Sequence, residues 1–135
     1  MSYDVYVAHP DVAETLLDKC CGEWEEKIQD YSPYDPCYYG VRSHITSNYS
    51  RLLTAYNVHP LDDMDGHTGK EVAAMVNKAF EEMDKTPQYV LEDLYFRDKD
   101  GLLITWGSVK ECGMWLLGLK AYCERHEDYK VWVRV

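Results

Sequence analysis

From Ser108 to Cys123 the chain sets Val109, Cys112, Trp115, Leu116, Leu119, Tyr122 and Cys123 at helical spacing, with Met114 and Leu117 beside them. An apolar stripe that wide predicts a helix over 108–124 that is buried around most of its circumference. Such a helix can exist only if the remaining chain packs about it. Ser108-Val109-Lys110-Glu111 opens it as a capping box, with the Ser108 hydroxyl set to accept from the Glu111 N–H and the Glu111 carboxylate set to accept from the Ser108 N–H. Residues Tyr129 to Val135 follow and alternate as a strand does.

The same opening pattern recurs twice. Thr68-Gly69-Lys70-Glu71 precedes Val72, Met75, Val76, Ala79, Phe80 and Met83, which predict an amphipathic helix over 69–84. Asp11-Val12-Ala13-Glu14 precedes Val12, Leu16, Cys20, Trp24 and Ile28, which recur every four residues. That recurrence predicts a helix over 11–29, weakened in the middle by Gly22. Ser2 to Ala8 alternates, with Tyr3, Val5 and Val7 on one face, until His9-Pro10 stops it. Residues 41–46 read as a further short strand. The expected fold is therefore α+β in a single domain over 1–135. A small, mainly antiparallel sheet has strands near 2–8, 41–46 and 129–135, and helices near 11–29, 69–84 and 108–124 pack on it. The N- and C-terminal strands are expected to pair. The exposed edge of so small a sheet could support a homodimer.

The charge excludes more than it identifies. The net charge is −10, and residues 1–40 hold nine acids against two bases. Direct binding to nucleic acid or to an anionic membrane is opposed by that balance. No apolar run approaches the roughly 18 residues of a membrane helix, and Met1-Ser2-Tyr3-Asp4 does not open a signal peptide. Five cysteines without scaffold spacing read as reduced thiols of a cytoplasmic protein. No cofactor motif is present, neither a glycine-rich phosphate loop nor HExxH, GxSxG or CxxC.

Two regions carry candidate contacts. The first is the acidic, tyrosine-rich start, where Glu23, Glu25, Glu26, Tyr34, Tyr38 and Tyr39 are candidates for binding a partner protein. The bland alternative is a solvated face. The second is His44-Ile45-Thr46-Ser47-Asn48-Tyr49-Ser50, a hydrogen-bond-rich stretch before a short helix. With Trp106-Gly107-Ser108 at the entry to the last helix, it suggests a pocket in which His44, Thr46, Asn48, Tyr49, Trp106 and Ser108 bind a small nucleotide-like ligand. Here the alternative is that Ser47 or Asn48 merely caps the helix. His44 beside Thr46 or Asn48 also admits a general base of a small hydrolase-type enzyme. Leu61-Asp62-Asp63-Met64-Asp65-Gly66-His67 looks like a calcium loop, but Leu61 stands where an acid is needed and no closing glutamate follows, so no metal site is read.

Three stretches taken together resemble a known group. They are Ile45-Thr46-Ser47-Asn48-Tyr49-Ser50, the Asp65-Gly66 and Thr68-Gly69 opening of a helix that runs toward Pro87, and the Trp106-Gly107 step before a long helix and a Val-x-Val strand. This pattern resembles a family of small uncharacterised proteins encoded by bacteriophages and prophages, which carry an Asn/His-x-Thr-x-Asn-aromatic motif and a Trp-Gly step. The first strand fits that family as well. His44 replaces the family's usual first Asn, and the chain ends Val133-Arg134-Val135. The resemblance implies an accessory protein in the cytoplasm of a bacterial host, and no reaction follows from it. The expected function is binding, with antagonism of a host defence factor as the first reading. Sequestration of a nucleotide signal is the alternative, and a small hydrolase a further one.

Overall fold

The structure is a computed structural model and describes residues 2–22, 39–98, 100–102 and 108–135. Its elements are β1 (Ser2–Ala8), β2 (Cys21–Gly22), β3 (Gly40–Thr46), α1 (Ser50–Ala55), α2 (Gly69–Met83), α3 (Gln88–Tyr95), α4 (Val109–Arg125) and β4 (Lys130–Arg134). The sheet order is β2-β3-β1-β4. β1 lies antiparallel to both β3 and β4, with Val5 opposite Ser43 and Val133, so the two terminal strands do pair. The two-residue β2 adds a short parallel partner to β3. The fold is α+β, with a mainly antiparallel sheet.

Period-2 alternation divides the sheet residues between two cores. On one face Tyr3, Val5, Val7, Val41, Ile45, Val131 and Val133 meet Val72, Val76 and Ala79 of α2 and Cys112, Leu116, Leu119 and Cys123 of α4. On the other, Tyr6 and Ala8 meet Val12, Leu17 and Cys20, with Tyr39 and Trp132 packed alongside. A buried polar pair sits in the larger core, where the Trp115 indole N–H donates to Ser43 Oγ at 3.2 Å.

Local chemistry explains the helix ends. Thr68 and Glu71 form the reciprocal capping box expected of them. α1 stops where Asn57 takes φ 59°. The Asn57 N–H donates to the Thr54 carbonyl and the Val58 N–H to the Leu53 carbonyl, which closes the helix with a left-handed Asn in the usual place of glycine. Arg51 then ties α1 to the end of α3 by donating to the carbonyls of Leu94 and Arg97.

Two expectations are corrected. There is no single helix over 11–29. A 3-10 helix covers Glu14–Lys19, and the chain is extended as β2 at Cys21–Gly22; residues 23–29 lie outside those described. Asp11 does not cap; it lies two residues before the cap position, and its N–H donates to His9 Nδ1. Ala13 stands at the cap position without a side-chain bond. The buried residues of the segment are Val12, Leu17 and Cys20, and Leu16 is partly exposed. Covering the second sheet face and pairing with β3 outweigh the four-residue recurrence, at the point where Gly22 makes a helix weakest. The second correction concerns α4. Its inner face is buried as expected, but Met114 and Leu117 are more than half exposed.

Candidate functional site

The stretch 44–50 and the start of α4 meet at one corner of the molecule. β3 ends at Thr46, whose Oγ1 accepts the Asn48 N–H at 3.3 Å and so caps the 3-10 turn Ser47–Tyr49 that leads into α1. The capping residue is thus Thr46, one position before Ser47. The turn swings Tyr49 into the larger core, edge-on to Phe96. The Tyr49 hydroxyl donates to Glu111 Oε2 at 3.3 Å. Burial, then the nearby Glu111 charge, pushes the Tyr49 phenol up to about 12, against a smaller opposing pull from the Ser108 backbone N–H. The structure therefore brings Tyr49 and Ser108 together.

What occupies the corner is already negative. Ser108 Oγ accepts the Glu111 N–H at 3.1 Å, which is half of the expected capping box. The Glu111 carboxylate takes the Tyr49 hydroxyl. Glu92 of α3 reaches across to accept the Val109 N–H at 2.9 Å. Backbone N–H groups at a helix start attract anions, and here the Glu92 carboxylate takes one of them while Glu111 adds a second negative charge in the first turn. Glu92 carries no local signal that could have marked it, because the contact joins residues 17 positions apart.

Other candidates are distributed differently. His44 leaves the sheet on the face opposite Ser43 and Ile45, pairs with Asp4 across the β1–β3 ladder and remains 66 % exposed. The Thr46 hydroxyl near it in sequence is engaged with Asn48. A pairing of this kind orients an imidazole, yet it presents no nucleophile among the described hydrogen bonds. Tyr39 is half-buried against the second core, where its carbonyl accepts the His9 N–H and Lys19 Nζ lies 5.3 Å from its ring centre. Trp106 and the candidates Glu23, Glu25, Glu26, Tyr34 and Tyr38 lie outside the described residues.

The stretch 59–67 has structural tasks. Buried His59 accepts the Asp62 N–H through Nδ1, and Asp63 accepts the His59 N–H at 2.8 Å. Asp65 accepts the Val133 N–H at 2.9 Å, and His67 bonds Glu71. Among the described residues no three His, Cys, Asp or Glu side chains come together as metal ligands. Cys20, Cys112 and Cys123 are buried, and burial pushes their thiols up to about 11, 12 and 12. Such thiols stay protonated and unreactive near neutral pH.

The sequence reading missed one concavity. A groove of about 460 Å³ runs between the end of α1 and α2, lined by Ala55, Tyr56, Asn57, Met75, Lys78 and Glu82. A shallower continuation is lined by Ser50, Arg51, Thr54, Ala55 and Tyr95. Tyr56 and Tyr95 meet edge-on between them. Asn57, where α1 stops, forms part of the groove's wall. Among known proteins, no family model, no curated protein and no solved structure matches this chain.

Proposed function

We propose that this protein is a phage-encoded accessory factor that works in the cytoplasm of a bacterial host by binding a host protein, as an antagonist of a defence factor. The observation that carries this reading is the engagement of Glu92, Glu111, Ser108 and Thr46 in internal bonds at the candidate corner. Two carboxylates at the start of α4 disfavour a phosphate there. The charge that remains for recognition is the net −10, concentrated in the first forty residues. An acidic surface fits the basic face of a partner, including one that otherwise holds nucleic acid. No helix among the described residues is long and apolar enough to cross a membrane.

The test is capture. Tagged protein expressed in bacterial cells is purified gently and analysed by native mass spectrometry. A bound host protein is expected, and its retention should fall with salt. Reversing Glu23, Glu25 and Glu26 to lysine should weaken retention and flatten that salt dependence. Retention unchanged by the triple reversal at every salt concentration would falsify the charge-mimic reading.

One observation favours a second reading. The groove beside Tyr56 and Met75, with Lys78 on its wall, has the volume of a small-ligand site. A nucleotide signal held there would make the protein a sponge. A co-purifying mass in the nucleotide range, lost on Lys78→Glu, would select this reading over the first.

A further inference from the structure

α4 presents an apolar stripe on the side away from the core. Met114 is 60 % and Leu117 52 % exposed, and Lys110, Ala121 and Glu124 are exposed with them. Positions 110, 114, 117, 121 and 124 follow the alternating four- and three-residue steps of a single helix face. Single exposed apolar side chains are ordinary. A Met and a Leu at the centre of a 17-residue helix, bounded by a cation at one end and an anion at the other, form a pattern. Gly113 flanks the stripe, and a Cβ there would meet only the Phe80 ring at 4.0 Å. The fold of one copy therefore does not require glycine at a position where it costs helix stability of about 1 kcal/mol.

We propose that this face of α4 is a self-association surface, on which a second copy docks antiparallel about a two-fold axis at Leu117. In that register Leu117 meets its own copy and Met114 covers the partner copy near Lys120 and Ala121. Lys110 and Glu124, each seven residues from Leu117, face one another twice. A parallel pair would oppose lysine to lysine and glutamate to glutamate, so the charge pattern selects the antiparallel arrangement. Glu124 already pairs with Lys120 at 3.4 Å, but that bridge is exposed and its rearrangement costs little. None of the five residues of this surface is among the residues that form the candidate corner. A single helix face is a small contact, so association is expected only at protein concentrations of roughly tens of micromolar and above.

Sedimentation velocity over a concentration series tests the proposal. The wild-type weight-average coefficient should climb from the monomer value toward that of a dimer. Leu117→Asp should stay monomeric at every concentration with an unchanged circular dichroism spectrum. Lys110→Glu should weaken association about tenfold at low salt, and the double variant Lys110→Glu/Glu124→Lys should restore it. Leu117→Cys should cross-link to a dimer under mild oxidant, whereas Lys78→Cys, placed on α2, should not. A wild-type chain that remains monomeric throughout overturns the proposal. So does a dimer indifferent to Leu117→Asp, and failure of the double swap to restore association overturns the antiparallel register.

Discussion

The Asp65 carboxylate accepts the backbone N–H of Val133 at 2.9 Å, and that bond closes the outer edge of the sheet. β4 is an edge strand, and an edge strand offers unpaired N–H and carbonyl groups to any other chain. Here the Gly66 N–H donates to the Val131 carbonyl and the Val131 N–H donates to the His67 carbonyl. The turn at 65–67 thus serves as a partial fifth strand, and the Asp65 side chain supplies the acceptor where its backbone runs out. Gly66 makes the turn possible by taking φ 85°. Asp65, one of the aspartates that gave this stretch its calcium-loop look, guards an edge.

Asp65→Ala should leave the Val133 N–H without its acceptor and cost about 1–2 kcal/mol. Asp65→Asn keeps an oxygen in place and should cost less. Urea denaturation measures both. Light scattering of concentrated samples should rise for the alanine variant as the edge opens. Equal stability of the two variants would remove Asp65 from this role.

Gly69 predicts a reversal of an ordinary rule. In a helix, Gly→Ala normally stabilises by about 1 kcal/mol. At the start of α2 an added Cβ would lie 2.4 Å from the His126 carbonyl oxygen and 3.1 Å from that of Cys123. Both are backbone atoms and cannot rotate away. Gly69→Ala should therefore destabilise by about 3 kcal/mol as α2 is forced off the end of α4. Thr68→Ala, which removes the capping hydroxyl next door, should cost only about 1 kcal/mol. Thermal or urea unfolding of the two variants gives the order, and the opposite order would refute the close approach.

Legibility in the sequence followed the range of the interactions. α2 and α4 were readable because their capping residues and their stripes lie within one element. That the two terminal strands pair was reachable from length and burial, but the register that sets Val5 opposite Val133 was not. The segment after Asp11 was misread because its fate depends on Val41 and Arg42, which pair with Cys21 and Gly22 from 20 positions further along the chain. At the candidate corner, Thr46 caps the turn after β3 and Tyr49 meets the first turn of α4. The carboxylates that fill the corner were not foreseen, since Glu92 and Glu111 come from helices whose packing no local pattern encodes.

His126 should make stability fall on the acid side of neutrality. Its ring stacks on Tyr129 at 4.3 Å and lies 4.5 Å from Tyr122, with His9 edge-on to the same Tyr129. Burial holds its pKa below the usual value, Arg125 and His9 add to this, and Asp128 opposes. The folded chain therefore resists a proton that the unfolded chain accepts near pH 6.5. Stability present above that pH should be lost as pH falls below it. Glu71, whose carboxyl is held low by bonds from Thr68 and His67, remains ionised through this window. Urea midpoints measured at about pH 7.5 and 5.5 should separate in the wild type and converge in His126→Phe, which keeps a stacking ring without the titration. Parallel shifts in both proteins would assign the acid sensitivity elsewhere.

Tyr49 should act on the alkaline side. Its phenol is pushed up to about 12 by burial and by Glu111. An unfolded tyrosine releases its proton near pH 10. Below that pH both states hold the proton and the contribution is complete. Between about 10 and 12 the unfolded chain ionises first, so stability falls as pH rises. The thiols of Cys112 and Cys123, also pushed up to about 12, add a fall that begins lower, near the ordinary thiol value of about 8.5. Tyr49→Phe removes the phenol's share and should shallow the alkaline slope, while costing about 1 kcal/mol at neutral pH through loss of the bond to Glu111. Glu111→Gln separates the two effects. It removes the charge that raises the phenol and keeps an acceptor for its hydroxyl, so neutral stability should hold while the Tyr49 titration moves down. Ultraviolet difference titration of the phenol reads that movement directly. An unmoved tyrosine titration in Glu111→Gln would show that burial alone sets it.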